Sequence, residues 1–259
     1  MALESDPGNH VYLDLAKKMG VGAAGETATT TESASQAPEK RKAEARETFD
    51  KAGAAYDKED YATALPLLNK AIELDPGLSD AWKLRAVIKS MTQDPRGALI
   101  DYTKAIELSP SDDVLYYGRA ILKRDMHMES AALADIEQAI KLVPDDFLYF
   151  ELRGILRGLT GDPKGALEDF TMEVKLAPKE FAAWFNRGAQ FLAMKEYGMA
   201  LVDATQALNL EPNNGQVYWL VGECHLKLGN RDKAIDFYTK GAERGDERSK
   251  AALEKLRNN

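Results

Sequence analysis

Four arginines and four aspartates recur at one fixed interval, and their types and spacing make them the first candidates for chemistry. Arg85, Arg119, Arg153 and Arg187 lie 34 residues apart, and Asp101, Asp135, Asp169 and Asp203 keep the same step. A stripe of guanidinium groups could hold a phosphate or a carboxylate, because each offers a planar fork of donors. The aspartates point elsewhere. Each arginine is followed by an aspartate, and the flanking copies lack both, carrying Lys51 with Leu67 and Val221 with Phe237. Residues that appear and disappear together within one copy read as an internal pair. Pairing with the next copy instead would leave Arg85 and Asp203 alone. The expectation is a structural ladder that ties together two halves of each copy.

No other constellation suggests catalysis. The histidines are His10, His127 and His225, and the one cysteine, Cys224, precedes His225 directly. Neighbours on a helix diverge by about 100° around its axis, so these two cannot form a nucleophile–base dyad. No CxxC, HExxH or glycine-rich phosphate loop occurs. A non-enzymatic protein is expected, with no cofactor and no metal site.

The elements that must position the ladder share its period. Pro76, Pro110, Pro144, Pro178 and Pro212 close near-copies of one phrase: AIELDP, AIELSP, AIKLVP, VKLAP and ALNLEP. Counting back from them gives six 34-residue repeats: 45–78, 79–112, 113–146, 147–180, 181–214 and 215–248. Position eight is small (Ala52, Ala86, Ala120, Gly154, Gly188, Gly222), and so is position twenty (Ala64, Ala98, Ala132, Ala166, Ala200, Ala234). Position twenty-four is large (Leu68, Tyr102, Ile136, Phe170, Tyr238), with Ala204 the exception. Small residues facing large ones let two helices pack closely. Each repeat therefore reads as two helices around a turn rich in Asp, Asn and Gly. Asp94 and Asp162 are expected as N-caps, with Pro95 and Pro163 as first helical residues.

With Trp82, Tyr116, Phe150, Trp184 and Tyr218 at position four, this pattern resembles the tetratricopeptide repeat. The resemblance covers 45–248 and implies an all-α fold: an α-solenoid, a right-handed superhelix of six helix-turn-helix repeats plus a C-terminal capping helix. The last repeat departs from the pattern, with Asp246 in place of proline. It further implies that the first helices line a concave groove for a partner protein or peptide. The positions so marked are Lys83 and Val87, then Tyr117, Ile121 and Arg124, then Leu148, Glu151 and Ile155. Phe185, Asn186 and Ala189 follow, and then Trp219, Glu223 and Lys227. Aromatic residues amid scattered charge suit a peptide-binding surface. The competing reading is that these side chains pack on neighbouring first helices. A family subclass grips the EEVD carboxylate ends of heat-shock proteins with Lys, Asn and Arg. Only Asn186 fits that pattern, since Glu151, Ile155, Gln216 and Leu220 fill the other places, so that ligand is not expected.

Net charge is −8, which argues against a nucleic-acid or anionic-membrane surface. No run of about 18 apolar residues marks a membrane span. No signal peptide is visible at the N-terminus, so cytoplasmic placement is the default expectation, with export only if a signal segment precedes this sequence. Residues 1–20 read as an arm whose HVYLDLAKKM stretch (10–19) suits a short amphipathic helix, and 21–38 as a flexible linker. The solenoid should fill 39–246. In the alternative to partner binding, the arm docks on its own or a neighbouring solenoid and builds a homo-oligomeric scaffold. At the other end, 247–259 should form a capping helix begun by Asp246. That role conflicts with reading Arg244-Gly245-Asp246 as an integrin-type tripeptide.

Overall fold

The structure, a computed structural model, describes residues 37–258. The expected arm and most of the expected linker lie outside them. Among the described residues there are thirteen helices and no strand, and the chain divides after Pro144 into two compact lobes. The N-terminal lobe holds α1 (Ala37–Tyr56), α2 (Tyr61–Leu74), α3 (Ser79–Met91), α4 (Pro95–Leu108), α5 (Asp113–Asp125) and α6 (Glu129–Leu142). The C-terminal lobe holds α7 (Phe147–Leu159), α8 (Pro163–Leu176), α9 (Phe181–Ala193), α10 (Tyr197–Leu210), α11 (Gly215–Lys227), α12 (Arg231–Glu243) and α13 (Glu247–Arg257). Helix α1 starts inside the expected linker. Pro38 sits in its first turn, where a missing N–H leaves no bond unmade.

Both lobes are stacks of helical hairpins, an all-α architecture of the solenoid class. In the N-terminal lobe α1 packs on α2, α3 on α4 and α5 on α6, and successive hairpins touch through α2–α3 and α4–α5. In the C-terminal lobe α7 packs on α8, α9 on α10 and α11 on α12, linked through α8–α9 and α10–α11. Each hairpin turns through one residue in the left-handed region: Glu59, Gln93, His127, Gly161, Lys195 and Gly229. Asp94 and Asp162 cap α4 and α8 by accepting from the N–H of Gly97 and Gly165, with proline at the helix start.

The periodic prolines do more than stop helices. The second helices end at Leu74, Leu108, Leu142, Leu176 and Leu210, two residues before each proline. At four of the five, all but Pro144 before Phe150, the proline carbonyl then accepts a hydrogen bond from the position-four aromatic of the next hairpin. Trp82 Nε1 donates to Pro76 O (2.9 Å), Tyr116 Oη to Pro110 O (3.2 Å), Trp184 Nε1 to Pro178 O (2.9 Å) and Tyr218 Oη to Pro212 O (2.8 Å). A proline has no N–H to give but keeps its acceptor, and these bonds fix the register between hairpins.

The chain closes without proline. Gly245 adopts a positive φ of 82°, and the Asp246 carboxylate accepts from the N–H and the hydroxyl of Ser249 to start α13. Asp246 is buried by this role, so Arg244-Gly245-Asp246 cannot present its carboxylate as a ligand.

Candidate functional site

The ladder is built by the same local frame four times. Arg85 Nε and Nη2 donate to the two oxygens of Asp101, each at 2.8 Å. Arg119 grips Asp135 at 2.8 and 2.8 Å, Arg153 grips Asp169 at 3.0 and 2.6 Å, and Arg187 grips Asp203 at 2.7 and 2.9 Å. Each pair joins the first helix of a hairpin to its second, and the aspartates are buried. Each guanidinium also lies over the position-four aromatic one helical turn earlier: Trp82 at 4.8 Å, Tyr116 at 6.0 Å, Phe150 at 5.4 Å and Trp184 at 5.0 Å. The same arginines that could have held an anion are therefore occupied on the fork and on the face.

Two features of the ladder lie beyond the sequence reading. A second cation reaches three of the four aspartates: Lys89 to Asp101 (2.8 Å), Lys123 to Asp135 (2.7 Å) and Arg157 to Asp169 (2.9 Å). The signal was available, because these residues stand four after the arginine, on the same helical face. Asp203 has Arg187 alone, since Phe191 takes the corresponding place. In the N-terminal lobe the arginines also reach back one hairpin, Arg85 Nη1 to Asn69 Oδ1 (2.7 Å) and Arg119 Nη1 to Thr103 Oγ1 (3.1 Å).

The expected groove residues separate by lobe. In the N-terminal lobe Val87 and Ile121 are 0% exposed and Tyr117 5%, so they cannot line an open surface. Lys83 is buried too, its ammonium 2.9 Å from Asp112 Oδ2. Helices α3 and α5 touch, as α9 and α11 do in the other lobe, but here the side chains at positions five and nine are sealed over. Arg124 is partly exposed and forks onto the adjacent Asp125. These four positions, Lys83, Val87, Tyr117 and Ile121, are corrected from surface to core.

In the C-terminal lobe the corresponding residues stay open. Leu148, Glu151 and Ile155 on α7, Phe185, Asn186 and Ala189 on α9, and Trp219 and Glu223 on α11 are all partly exposed, and Lys227 is exposed. Phe185 and Trp219 rest their inner edges on a core cluster of Ala200, Ala204, Leu220, Val221 and Cys224. Arg248 of α13 lies 4.3 Å above the Trp219 ring. Glu223 accepts from Tyr238 Oη at 2.6 Å, and burial together with this bond pushes the phenol's pKa upward.

Beneath this face lies a buried acid that sequence reasoning missed. Glu173 on α8 is fully buried, and its oxygens lie 3.4 Å from Asn186 Nδ2, which is also 3.4 Å from Glu151 Oε1. Burial, reinforced by the Glu151 charge and only partly offset by the Asn186 bond, pushes the Glu173 carboxyl up to about 8. Elsewhere, burial raises the Cys224 thiol to about 12 and lowers His225, and the His225 ring stacks on Phe237 at 5.4 Å. A thiol held neutral is no nucleophile. Among the described residues no group of three His, Cys, Asp or Glu is placed to hold a metal ion, and no helix is long and apolar enough to cross a membrane.

Two family models described as tetratricopeptide repeat match the sequence, at residues 49–113 and 215–244. No curated protein matches it. Among solved structures, the fold is similar to YrrB, described as a TPR protein with an unusual peptide-binding site. That likeness has a TM-score of 0.61 at 23% identity and covers 73% of this chain and 97% of YrrB. PilF of Pseudomonas aeruginosa gives 0.71 at 18% identity, covering 83% and 99%. PilW, described as a widely conserved type IV pilus biogenesis factor, gives 0.71 at 16% identity, covering 81% and 98%. At these identities the likeness is one of fold.

Proposed function

We propose that the chain is a non-enzymatic protein-interaction module that binds a helix or extended segment of a partner protein on the open face of α7, α9 and α11, a reading supported by the tetratricopeptide repeat models that match residues 49–113 and 215–244. One observation carries the reading. Phe185 and Trp219 stand on touching helices, are held from behind by packed core, and remain partly exposed in front. Rigid aromatics seated this way are what binding hot spots use, since they bury large area at small cost in side-chain freedom. Glu151, Asn186, Glu223 and Lys227 supply a polar rim around them. The comparison with YrrB supports a peptide as ligand for this class of fold.

The test is affinity capture from native extract with wild type and with Phe185→Ala/Trp219→Ala. The double variant should lose a partner that wild type retains and keep its helical signal, with a lowered melting temperature from the packing lost on the core cluster. Tyr117→Ala is the control from the N-terminal lobe: it should lower stability and spare binding. A partner held equally by wild type and the double variant would move the binding site off this face.

A further inference from the structure

One junction in the repeat frame breaks its own rule. Position twenty-seven is Ala71, Ala105, Ala139 and Ala207 in four repeats, all fully buried, and Gly241 in the last. Position six of the following repeat is Leu84, Gly118, Leu152 and Leu220. Where α8 meets α9, both become polar together, as Glu173 and Asn186. Two apolar residues would fill this space without penalty, so the polar pair needs a cause.

The geometry leaves a cation missing. The buried ladder aspartates each have a guanidinium within 2.9 Å. Glu173, buried as deeply, forms no ion pair among the described residues, and the Asn186 amide that bonds it stands at 3.4 Å, long for an N–H···O bond of about 2.7–3.2 Å. The neighbouring charges are committed elsewhere. From α7, Arg153 and Arg157 are both spent on Asp169, and Glu151 adds negative charge. From α9, Arg187 is spent on Asp203. A single neutral NH₂ group thus stands among three carboxylate oxygens, 3.4 Å from each. A positive charge placed there would pair with the Glu173 carboxylate once its proton leaves, and would lie beside Glu151.

We propose that Glu151, Asn186 and Glu173 form the seat for a positively charged side chain of the bound partner, a lysine ammonium. This rests on the reading of the α7–α9–α11 face as the binding surface. The Asn186 amide turns aside and its carbonyl oxygen accepts from the ammonium, which comes to lie between the two carboxylates. Glu173 sheds its proton to solvent as the cation arrives, so binding near neutral pH releases a proton. The raised titration of Glu173 is what makes this release measurable.

The test uses the full chain and two amide-capped five-residue peptides, one with a central lysine and one with norleucine there, followed by nuclear magnetic resonance titration of the Asn186 side-chain amide. At pH 7 the lysine peptide should bind at least about tenfold more tightly, a difference of about 1.4 kcal/mol. The preference should vanish in Glu173→Gln and in Glu173→Ala, which restores the alanine of the other repeats and should keep the fold. Calorimetry in two buffers of different ionisation heat should show protons released with wild type and none with Glu173→Gln. Equal binding of the two peptides, or a lysine preference that survives Glu173→Gln, overturns the seat. If both peptides bind equally yet both are lost in Phe185→Ala/Trp219→Ala, the face stands and the seat alone is wrong.

Discussion

The two lobes run the same hairpin frame to different ends. In the N-terminal lobe position eight is alanine throughout (Ala52, Ala86, Ala120), both ladder aspartates have two cations, and positions five and nine of α3 and α5 are closed into core. In the C-terminal lobe position eight is glycine throughout (Gly154, Gly188, Gly222). One ladder aspartate has a single cation, one buried acid has none, and positions five and nine stay partly open. Asp169 keeps two cations, Arg153 and Arg157, so the reinforcement thins in the second lobe at Asp203 and Glu173 and not throughout it. Proteins give up stability where they keep a site, and the contrast agrees with the face proposed on α7, α9 and α11.

The sharpest way to break this contrast is through the ladder. Removing Arg187 leaves Asp203 buried with no cation, and should cost about 3–5 kcal/mol. Removing Arg85 or Arg119 leaves Lys89 or Lys123 still on the aspartate, so the loss should be nearer about 1–3 kcal/mol. Urea melts of the three alanine variants check the order. If Arg85→Ala and Arg187→Ala cost the same, the second cation contributes nothing and the lobes do not differ in this respect.

The next effect is on pH dependence between about 4.5 and about 8, where Glu173 of the second lobe acts. Folded Glu173 keeps its proton up to about 8, whereas an exposed glutamate releases it near 4.5. Between those values the folded state binds the extra proton, so stability falls as pH rises from about 4.5 to about 8 and then levels off. Glu173→Gln should remove that slope and raise the melting temperature at pH 8, with little change at pH 4. A variant as pH-sensitive as wild type would assign the slope to another group.

The contrast between lobes also marks how far the sequence could be read. Period, hairpins, caps and the arginine–aspartate spacing were legible because each is written locally and repeated, so each copy checks the others. The groove positions were assigned from the family resemblance, and the structure buries four of them, Lys83, Val87, Tyr117 and Ile121. Val87 and Ile155 hold the same place in the frame, yet one is sealed and the other partly open. Exposure depends on which side chains the neighbouring hairpins bring over a position, which no single repeat encodes. The second cations, Lys89, Lys123 and Arg157, were missed although visible as a turn-spaced set. Glu173 was missed because it is one deviation in a column of alanines, and a repeat argument attends to what recurs.

The smallest effect concerns the glycines at position eight, and it tests whether the second lobe's thinning is a requirement of packing. A methyl group on Gly154 would sit 2.6 Å from Phe170 Cε1, and one on Gly222 would sit 2.5 Å from Tyr238 Cε1. These are ring edges in packed interior, not flexible ends, so Gly154→Ala and Gly222→Ala should each cost about 1–3 kcal/mol by overpacking. Against that runs a gain of about 1 kcal/mol from replacing glycine inside a helix, so the net loss is about 0–2 kcal/mol. Gly188 differs, because Ala204 and not an aromatic stands opposite, and the added methyl would meet Asp203 Cβ at 3.2 Å and the Ala204 nitrogen at 3.3 Å. There the helix backbones themselves approach, which explains why position twenty-four is small in that repeat alone. In the first lobe Tyr102 packs in the hairpin where position eight is Ala86, so an aromatic alone does not demand glycine. Thermal melts of Gly154→Ala and Gly222→Ala decide the point. If both are neutral or stabilising, the closer approach in the second lobe is tolerated without being needed, and its open face must be sustained by α9 and α11 alone.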